Sequence, residues 1–426
     1  MVEDADSLLR QGREAFAGRR LQQAAALFRR AMEVAPDNEA AHLDYGGVLI
    51  ALAQPEQAAG HLEGTVQRFP ASVEARVHLA NAWHAQGAFD TAEAVYRDAL
   101  KLGPGHLRGL VSMGNLLCQT RRPAEAVEFL RTAVTIAPRA AHVHQFLGNA
   151  FLDLGQVAEA VASYQRAVAL DPSIPDANEN LGALLKSQQR YAEARDRFRA
   201  SGTPQARAQA LECELLLGEY DRFFVGLAAS RDVEATNLFS AALSAFVASQ
   251  LGRPDPHAFC PDPLAHVSLV DRYTAGEDDR AFLEALVREA REVHAVWEPR
   301  GVTTKGGFQT GGNLFAHGHP NLARLESDLL AAIQEYRTQR PDDIAMVTRW
   351  PSRLRLRGWF VRLLPGGHQE FHHHPFGWVS GCLYLQMPED VAEGEGAIEF
   401  GLDGGKFPRL SDRPAPRRAY RPRPGQ

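Results

Sequence analysis

At about 150 residues per domain, the 426-residue chain is long enough for two or three domains. Hydrophobic residues make up 45% and charged residues 23%, a balance typical of folded proteins and too apolar for a disordered one. The formal net charge of -6 argues against a dedicated nucleic-acid binder. Arginine supplies 42 of the 46 basic residues, which is typical of a GC-rich, bacterial genome.

The cysteines and the N-terminal residues indicate the compartment. Cys118, Cys213, Cys260 and Cys382 include no C-x-x-C pair, so neither a disulfide framework nor a zinc ribbon is predicted. The acidic first residues lack the apolar stretch of a signal peptide, and no apolar run reaches the roughly 18 residues of a membrane span. We therefore expect a cytoplasmic location.

A 34-residue period runs through the first half of the chain. Four registers keep this step: the prolines Pro36, Pro70, Pro104, Pro138 and Pro172; the alanines Ala24, Ala58, Ala92, Ala126, Ala160 and Ala194; the small residues Gly12, Gly46, Ala80, Gly114, Gly148 and Gly182; and the bulky residues Phe28, Leu62, Tyr96, Leu130, Tyr164 and Phe198. The pattern resembles the tetratricopeptide repeat, a helix-turn-helix unit of this length.

Each register suits one place in such a unit. Small residues let two antiparallel helices approach, the bulky residue fills the space between pairs, and proline ends the second helix. Neighbouring units then share one core. We predict an all-α solenoid over residues 5–224, with six units at 5–38, 39–72, 73–106, 107–140, 141–174 and 175–203, and a degenerate helix pair or cap over Gln205–Phe224.

The ninth position of the units predicts a binding wall. Asn81, Asn115 and Asn149 form a ladder in this register on the first helices, which line the concave side of a solenoid. An amide side chain offers a donor and an acceptor to the backbone of an extended peptide. The alternative is that the asparagines satisfy buried polar groups between helices. Related repeat proteins often contact peptide through this register, so the expected partner is a peptide or protein.

Residues 225–300 are predicted to form a helical connecting region, because Phe282, Leu286, Ala290, Val293 and Trp297 recur at helical spacing. A further apolar stripe starts after Pro320. The glycine-rich residues 304–315 lack the G-K-[ST] of a phosphate-binding loop, so we expect a loop or edge strand there.

Beyond about residue 350 the hydrophobic period becomes two. Strands are predicted over 354–364, 368–374, 378–386 and 397–400, with turns at Pro365-Gly366-Gly367 and Pro375-Phe376-Gly377. No helical pattern interrupts them, which favours an antiparallel sandwich or barrel. Trp359 and Trp378 are expected to pack in its core.

Four of the 16 histidines fall within residues 368–374. In a strand His372 and His374 would point the same way, with His368 and Glu370 further along and His373 on the opposite face. Two such imidazoles can hold a divalent transition metal. The alternative is a polar strand face with solvated histidines.

The segment from Pro365 to Pro375, with its H-x-H-P order, followed by Ser380-Gly381 and Tyr384, resembles the iron(II)/2-oxoglutarate-dependent oxygenases. The resemblance spans about residues 300–426. It implies a double-stranded β-helix (jelly-roll) domain over 301–426, Fe(II) as metal and 2-oxoglutarate as co-substrate. By position, it makes His372 and His374 metal ligands and lets Tyr384 face the cofactor. The alternative for Tyr384 is an aromatic residue of the core.

The chain departs from the pattern of the wider superfamily in two respects. His374 stands where many relatives use an acidic residue, although this order matches the H-x-H-P branch. No histidine follows His374, so the distal ligand and the 2-oxoglutarate anchor are missing from the sequence, and we expect a β domain without its last strands. His317 or His319 could substitute as ligand. The arginine-rich residues after Lys406 predict either the interrupted sheet of this domain or a disordered arm for nucleic acid or an acidic partner.

Three functional hypotheses follow. The first is a hydroxylase-type Fe(II), 2-oxoglutarate-dependent oxygenase whose repeats recruit a peptide or protein, without a membrane or nucleic-acid partner. The second is a non-enzymatic interaction scaffold with a degenerate or truncated oxygenase domain. The third is a cupin-like protein that uses zinc or manganese without 2-oxoglutarate.

Overall fold

The computed structural model describes residues 4–229, 236–299, 302–372, 374, 377–388, 395–403 and 407–426. The orientation predicted for His373 therefore lies outside the described residues. The chain divides into two compact units, Met1–Ser201 and Gly202–Gln426. In the described ranges, no helix is both long and apolar enough to cross a bilayer.

The described residues of the first unit form six helix pairs, which confirms the predicted repeats. The helices are α1 (Ala5–Ala17), α2 (Leu21–Val34), α3 (Glu39–Ala51), α4 (Pro55–Arg68), α5 (Val73–Ala85), α6 (Phe89–Leu102), α7 (Leu107–Gln119), α8 (Pro123–Ile136), α9 (Ala141–Asp153), α10 (Val157–Leu170), α11 (Pro175–Ser187) and α12 (Tyr191–Ser201). Each first helix begins at the same place in the repeat, and its partner follows after a short turn.

Side-chain caps fix where the first helix of several repeats begins. Asn38, Ser72 and His106 each accept a hydrogen bond from a backbone N–H in the first turn of α3, α5 and α7. Such caps satisfy donors that have no partner within the helix. The capping residue stands two places after the repeated proline, so the same short sequence both ends one unit and starts the next.

In the five units whose small residue is glycine, that glycine contacts the bulky residue of its own helix pair. A Cβ on Gly148 would lie 2.7 Å from Tyr164 Cε1, and one on Gly46 would lie 2.7 Å from Leu62 Cδ2. Phe28 joins Ala41 and Val48 of the next unit in one core cluster, so the bulky residue also fills the space between pairs, as predicted. The bulky residue thus packs against the small residue of its own pair and against the next unit. This explains why the small and the bulky registers are repeated together.

An ion cluster joins the third and fourth repeats. Glu74 on α5 lies 2.6 Å from His106 Nε2 and also contacts His78 and Arg108. The hydrogen bond from His78, followed by the charge of Arg108 and the hydrogen bond from His106, lowers the pKa of Glu74 to about 2. The carboxylate therefore stays charged at neutral pH and links α5 to α7.

The second unit begins with helices and continues into sheets. Its helices are α13 (Pro204–Leu216), α14 (Tyr220–Ala229), α15 (Leu238–Leu251), α16 (Gly276–Glu292), α17 (Pro320–Thr338) and α18 (Ala345–Thr348), with 3-10 turns at Pro263–His266 and Leu314–His317. The pair α13 and α14, predicted as the cap of the solenoid, belongs to this unit. Leu286 and Leu322, from α16 and α17, lie in one core cluster.

The apolar stripe of α16 ends earlier than predicted. The helix stops at Glu292, and Trp297 lies instead in a strand with 46% of its surface exposed. The prediction that Trp297 continues the helical stripe is wrong. Its ring packs edge-on against Phe308, so sheet pairing rather than helical periodicity decides its position.

Five antiparallel strands lie among the described residues. The last three follow α18, in agreement with the change to antiparallel sheet expected near residue 350, whereas the first two precede α17. One sheet has the order β1 (Ala295–Trp297), β2 (Thr304–Thr310) and β3 (Val361–Gln369). The other pairs β4 (Ile398–Gly401) with β5 (Arg417–Tyr420). The glycine-rich stretch expected to be a loop or edge strand forms β2, the middle strand of its sheet.

Strand β3 runs through the predicted turn at Pro365-Gly366-Gly367 and ends at Gln369, before the predicted end at 374. A register irregularity between Lys305 and Gly307 absorbs the turn residues. A Cβ on Gly367 would overlap the carbonyl oxygen of Gly306, so the two backbones approach as only glycine permits. The predicted strand over 378–386 is absent from the described residues of that range.

The arginine-rich C-terminal residues form part of a sheet. Arg417 of β5 lies 2.6 Å from a carboxylate oxygen of Glu399 and of Asp403. The backbone of Gly425 hydrogen-bonds to Tyr273 and Tyr384. These contacts contradict the disordered-arm interpretation of the tail and agree with the sheet interpretation.

The contact between Gly148 and Tyr164 gives a stability prediction. Gly148→Leu should lower the free energy of unfolding by about 3 kcal/mol, because the added side chain overlaps the Tyr164 ring. Gly64→Leu is the control, since a Cβ there meets nothing within 4 Å. Urea unfolding of both variants measures the difference. Equal stabilities would contradict close packing at this register.

The ion cluster gives a pH prediction. Glu74→Gln should lower the free energy of unfolding by about 1 kcal/mol at pH 7, a value reduced for partial solvent screening. The pKa of Glu74 is about 2 in the folded protein, below the roughly 4.3 of an unfolded glutamate. The ionised carboxylate therefore stabilises the fold fully above about pH 4.3, and this stabilisation is lost as the pH falls from about 4.3 towards 2. Urea unfolding at pH 7 and pH 3 measures this.

The control for this experiment is Glu63→Gln, which alters an exposed carboxylate on α4. Its effect should be small at both pH values. A Glu74→Gln effect that is the same at pH 3 as at pH 7 would show that the charge of Glu74 does not stabilise the repeats.

Candidate functional site

Buried tyrosines hydrogen-bond to two members of the asparagine ladder, Asn81 and Asn149. Tyr96 donates a hydrogen bond to Asn81 Oδ1 at 2.5 Å, and Tyr164 donates one to Asn149 Oδ1 at 2.7 Å. Both tyrosine rings are fully buried. The amide oxygens therefore satisfy buried hydroxyl groups, which is the alternative that the sequence left open.

The Nδ2 groups of the ladder asparagines have no acceptor among the described residues. Neither Asn81 Nδ2 nor Asn149 Nδ2 donates a hydrogen bond within the described part of the chain, and Asn115 forms no side-chain hydrogen bond there. Asn180 adds a fourth amide, since its Nδ2 donates to Asn149 Oδ1 at 3.1 Å. The wall thus presents amide donors, two of which are oriented by the tyrosines.

Two adjoining cavities of about 560 Å³ each lie along these amides. The first contains Asn81 and the second contains Asn115, Asn149 and Asn180, and Phe89 and Gln119 line both. We call this surface the repeat groove, defined by the residues Asn81, His84, Phe89, Asn115, Cys118, Gln119, Phe146, Asn149, Leu152, Asp153 and Asn180. Phe89 and Leu152 are each 37% exposed, so the groove combines apolar surface with amide donors.

Cys118 in the repeat groove is not an activated thiol. Burial raises its pKa to about 11, and the neighbouring charge and hydrogen bond of Asp153 act in the same direction. A thiol with a raised pKa is a poor nucleophile at neutral pH. The groove therefore offers amide donors and apolar surface, and no reactive thiol.

In the second unit, the structure places His372 and His374 side by side. Their ring centroids are 4.8 Å apart, with the rings nearly perpendicular. They follow the end of β3 and are not part of a strand, but both are half-buried. The rings nevertheless lie together, as the H-x-H spacing suggested.

Hydrogen bonding orients the ring of His372. Its Nδ1 lies 2.8 Å from the carbonyl oxygen of Glu370 and 3.3 Å from Thr303 Oγ1. Donation from Nδ1 to the carbonyl leaves the lone pair on Nε2, which is the arrangement that metal-binding histidines commonly adopt. The ring of Trp359 lies 5.6 Å from that of His374 and borders the pair.

This pair fits the imidazole part of an iron site but does not complete one. Among the described residues, no group of three histidine, cysteine, aspartate or glutamate side chains is placed to hold a metal ion. His319, a suggested substitute, lies 3.6 Å from Glu292 at the start of α17. His317 ends a 3-10 turn. Within the described ranges, the donor set is thus two imidazoles.

Tyr384 is held through its backbone. Its N–H donates to the carbonyl oxygen of Gln426, and its carbonyl oxygen accepts from Gly425 N–H. Leu383 and Leu385 on either side pack against the core cluster of α16 and α17, and burial raises the pKa of Tyr384 to about 12. The hydroxyl therefore stays protonated at neutral pH.

The predictions from the sequence missed one of these residues and placed another wrongly. Asn180 stands outside the ninth position, although the 34-residue register places it on the same side of α11 as Phe146 on α9. Trp359 was expected to pack in the core, yet 40% of its surface is exposed. Trp378 does pack, against Phe259, and its Nε1 donates to Met346.

Solved structures similar to this chain are repeat proteins. A thermophilic TPR protein from Thermus thermophilus is 21% identical, with 43% of this chain and 99% of that chain covered and a TM-score of 0.40. Pseudomonas aeruginosa pilF is 20% identical, covering 47% and 94%, with a TM-score of 0.42. YrrB, described as a TPR protein with an unusual peptide-binding site, is 16% identical, covering 48% and 97%, with a TM-score of 0.33. No curated protein sequence gave a significant match.

Family models match both parts of the chain. Tetratricopeptide repeat models match residues 9–52, 48–107, 84–150 and 148–189. The model described as "Putative 2OG-Fe(II) oxygenase" matches residues 357–426, a narrower range than the 300–426 expected. The matched range contains His372, His374 and Tyr384. The chain therefore carries tetratricopeptide repeats, followed by a C-terminal region that matches the model of this oxygenase family.

Proposed function

We propose that this protein is a hydroxylase-type Fe(II), 2-oxoglutarate-dependent oxygenase whose repeats recruit a peptide or protein. The observation that carries the proposal is the His372–His374 pair inside the oxygenase-matched residues, with ring centroids 4.8 Å apart. All four cysteines are free thiols, which suits the cytoplasmic location that we also propose.

In this proposal His372 and His374 are the imidazole ligands of the metal. The Glu370 carbonyl fixes the tautomer of His372, so that Nε2 is directed to bind rather than to donate. Thr303, 3.3 Å from His372 Nδ1, helps to hold the ring. Fe(II) with 2-oxoglutarate would supply the oxidation of a substrate C–H bond.

Tyr384 and Trp359 would act around the metal ligands. The exposed Trp359 ring beside His374 offers an apolar wall that limits access of water to the pair. Tyr384, with its raised pKa, could donate a hydrogen bond to an anionic co-substrate. We propose it as a cofactor-binding residue.

We propose that the repeat groove binds an extended peptide. The Nδ2 groups of Asn81, Asn115 and Asn149 would donate to backbone carbonyl groups, while the tyrosines behind Asn81 and Asn149 hold the amides in that orientation. Phe89 and Leu152 would receive apolar side chains. Orientation before binding reduces the entropy lost by the site.

The metal site can be tested by anaerobic calorimetry with Fe(II). The double variant His372→Ala/His374→Ala should lose Fe(II) binding and 2-oxoglutarate-dependent succinate formation, because both imidazole donors are removed. His368→Ala is the control, since His368 is exposed and pairs in the sheet with Lys305.

Three outcomes separate the hypotheses. Fe(II) binding that survives the double variant would contradict the assigned ligands. Zn(II) or Mn(II) binding at the pair without any effect of 2-oxoglutarate would favour the cupin-like alternative. A protein that binds no metal, but whose repeats still bind peptide, would favour the non-enzymatic scaffold.

The groove can be tested with peptides selected from a displayed library of random 12-residue sequences. Asn115→Ala/Asn149→Ala should weaken the selected peptides about tenfold, because two donors to the peptide backbone are lost. Gln22→Ala, an exposed amide on α2, is the control. Peptides that bind the double variant as tightly as the wild type would contradict the proposed groove contacts.

A further inference from the structure

Residues 353–360 of the second unit lead into β3 and have two different sides, although no strand is assigned to them where one was predicted over 354–364. Its side chains alternate between exposed and half-buried: Arg353, Arg355, Arg357 and Trp359 are exposed, and Leu354, Leu356, Gly358 and Phe360 are half-buried. Phe360 packs against the core cluster of α16 and α17. A period of two is the pattern of a strand with one face on the core.

One edge of this segment is already hydrogen-bonded. Gly358 accepts from Leu314 N–H at 2.8 Å and donates to Asn313 Oδ1 at 2.9 Å. Phe360 accepts from Thr310 N–H at 3.0 Å and donates to Thr310 Oγ1 at 2.9 Å. The backbones of Gly358 and Phe360 therefore point towards residues 310–314.

The opposite edge is unpaired by any residue that the structure describes. The backbone groups of Arg355, Arg357 and Trp359 form no hydrogen bonds in the part of the chain that the structure describes. Alternate residues of a strand direct their backbone groups to opposite edges, so these three face away from residues 310–314. An unpaired strand edge is a template for another extended chain.

The side chains above this edge carry unpaired positive charge. Arg353, Arg355 and Arg357 form no ion pair and no side-chain hydrogen bond with any described residue. Guanidinium groups on alternate residues of an extended chain repeat about every 6.6 Å. We call residues 353–359 the arginine edge.

We propose that the arginine edge binds an acidic, extended polypeptide by antiparallel strand addition. Residues opposite each other in such a pair lie on the same face of the sheet. Carboxylates at alternate positions of the added strand would therefore face Arg353, Arg355 and Arg357. A second copy of this edge would instead oppose arginine to arginine, which is unfavourable.

The open backbone favours a polypeptide over a single-stranded nucleic acid. A nucleic acid would use the arginines and Trp359 but would leave the outward N–H and C=O groups of Arg355 and Arg357 unpaired. The site lies outside the repeat groove and needs no metal. Because Trp359 contacts His374, the added strand would pass close to the histidine pair.

Fluorescence anisotropy with a labelled octapeptide of alternating glutamate and threonine tests the proposal. Arg353→Glu/Arg355→Glu/Arg357→Glu should weaken its binding about tenfold or more. The control Arg280→Glu/Arg288→Glu/Arg291→Glu makes the same charge change on the exposed side of α16 and should leave binding within about twofold. Circular dichroism verifies that both variants fold, and Arg357→Gln provides a milder change.

Backbone methylation tests the strand pairing itself. In the antiparallel arrangement, the residue opposite Arg357 exchanges both of its backbone hydrogen bonds with it. N-methylation of the glutamates should abolish binding, and N-methylation of the threonines should be tolerated. The proposal would be overturned if both methylated peptides bound equally well or if the control variant lost as much binding as the arginine variant. It would also be overturned if the octapeptide did not bind at all or if an oligothymidylate bound more tightly.

Discussion

The contact between a glycine on the first helix and a bulky side chain on the second determines much of the repeat unit. At Gly148 the absence of a Cβ lets the ring of Tyr164 lie against the helix backbone. This approach also brings the Tyr164 hydroxyl to Asn149, the next residue along the helix. In the third repeat, where Ala80 stands at the small position, Tyr96 also donates to Asn81. In the fifth repeat, close packing at the glycine and the orientation of the Asn149 amide thus have one cause.

The tyrosine contact reconciles the two interpretations of the asparagines. Each amide has an oxygen that accepts and a nitrogen that donates. In Asn81 and Asn149 the oxygen satisfies a buried hydroxyl, which gives the residue a role in stability. The nitrogen remains directed away from that hydroxyl. A residue selected for packing can therefore also carry a binding function, which supports the proposed peptide groove.

The second unit places its candidate chemistry along one continuous stretch of chain. Residues 356–360 and β3 run antiparallel to residues 304–314, and the chain then reaches His372 and His374. The exposed Trp359 ring contacts His374 from within this stretch. A partner bound along the arginine edge would therefore lie beside the proposed metal ligands.

The sequence predicted the repeats well because their pattern is local and is repeated six times. Errors arose where pairing partners are distant in sequence. Trp297 continued a helical spacing but pairs with Phe308, and Pro365-Gly366-Gly367 looked like a turn although Gly306 accommodates it within a strand. Trp359 was assigned to the core because aromatic residues are usually buried there. His372 and His374 could be paired from spacing, but Thr303, far away in sequence, could not.

The proposed oxygenase activity requires that His372 and His374 bind a transition metal together. A crystal structure of the full chain soaked with Mn(II) as an iron substitute, with anomalous scattering measured, tests it most directly. If the two residues bind the metal together, an anomalous peak is expected about 2.1 Å from one imidazole nitrogen of each residue. A peak elsewhere in the chain, or imidazole rings that stay free of metal at saturating Mn(II), would contradict it.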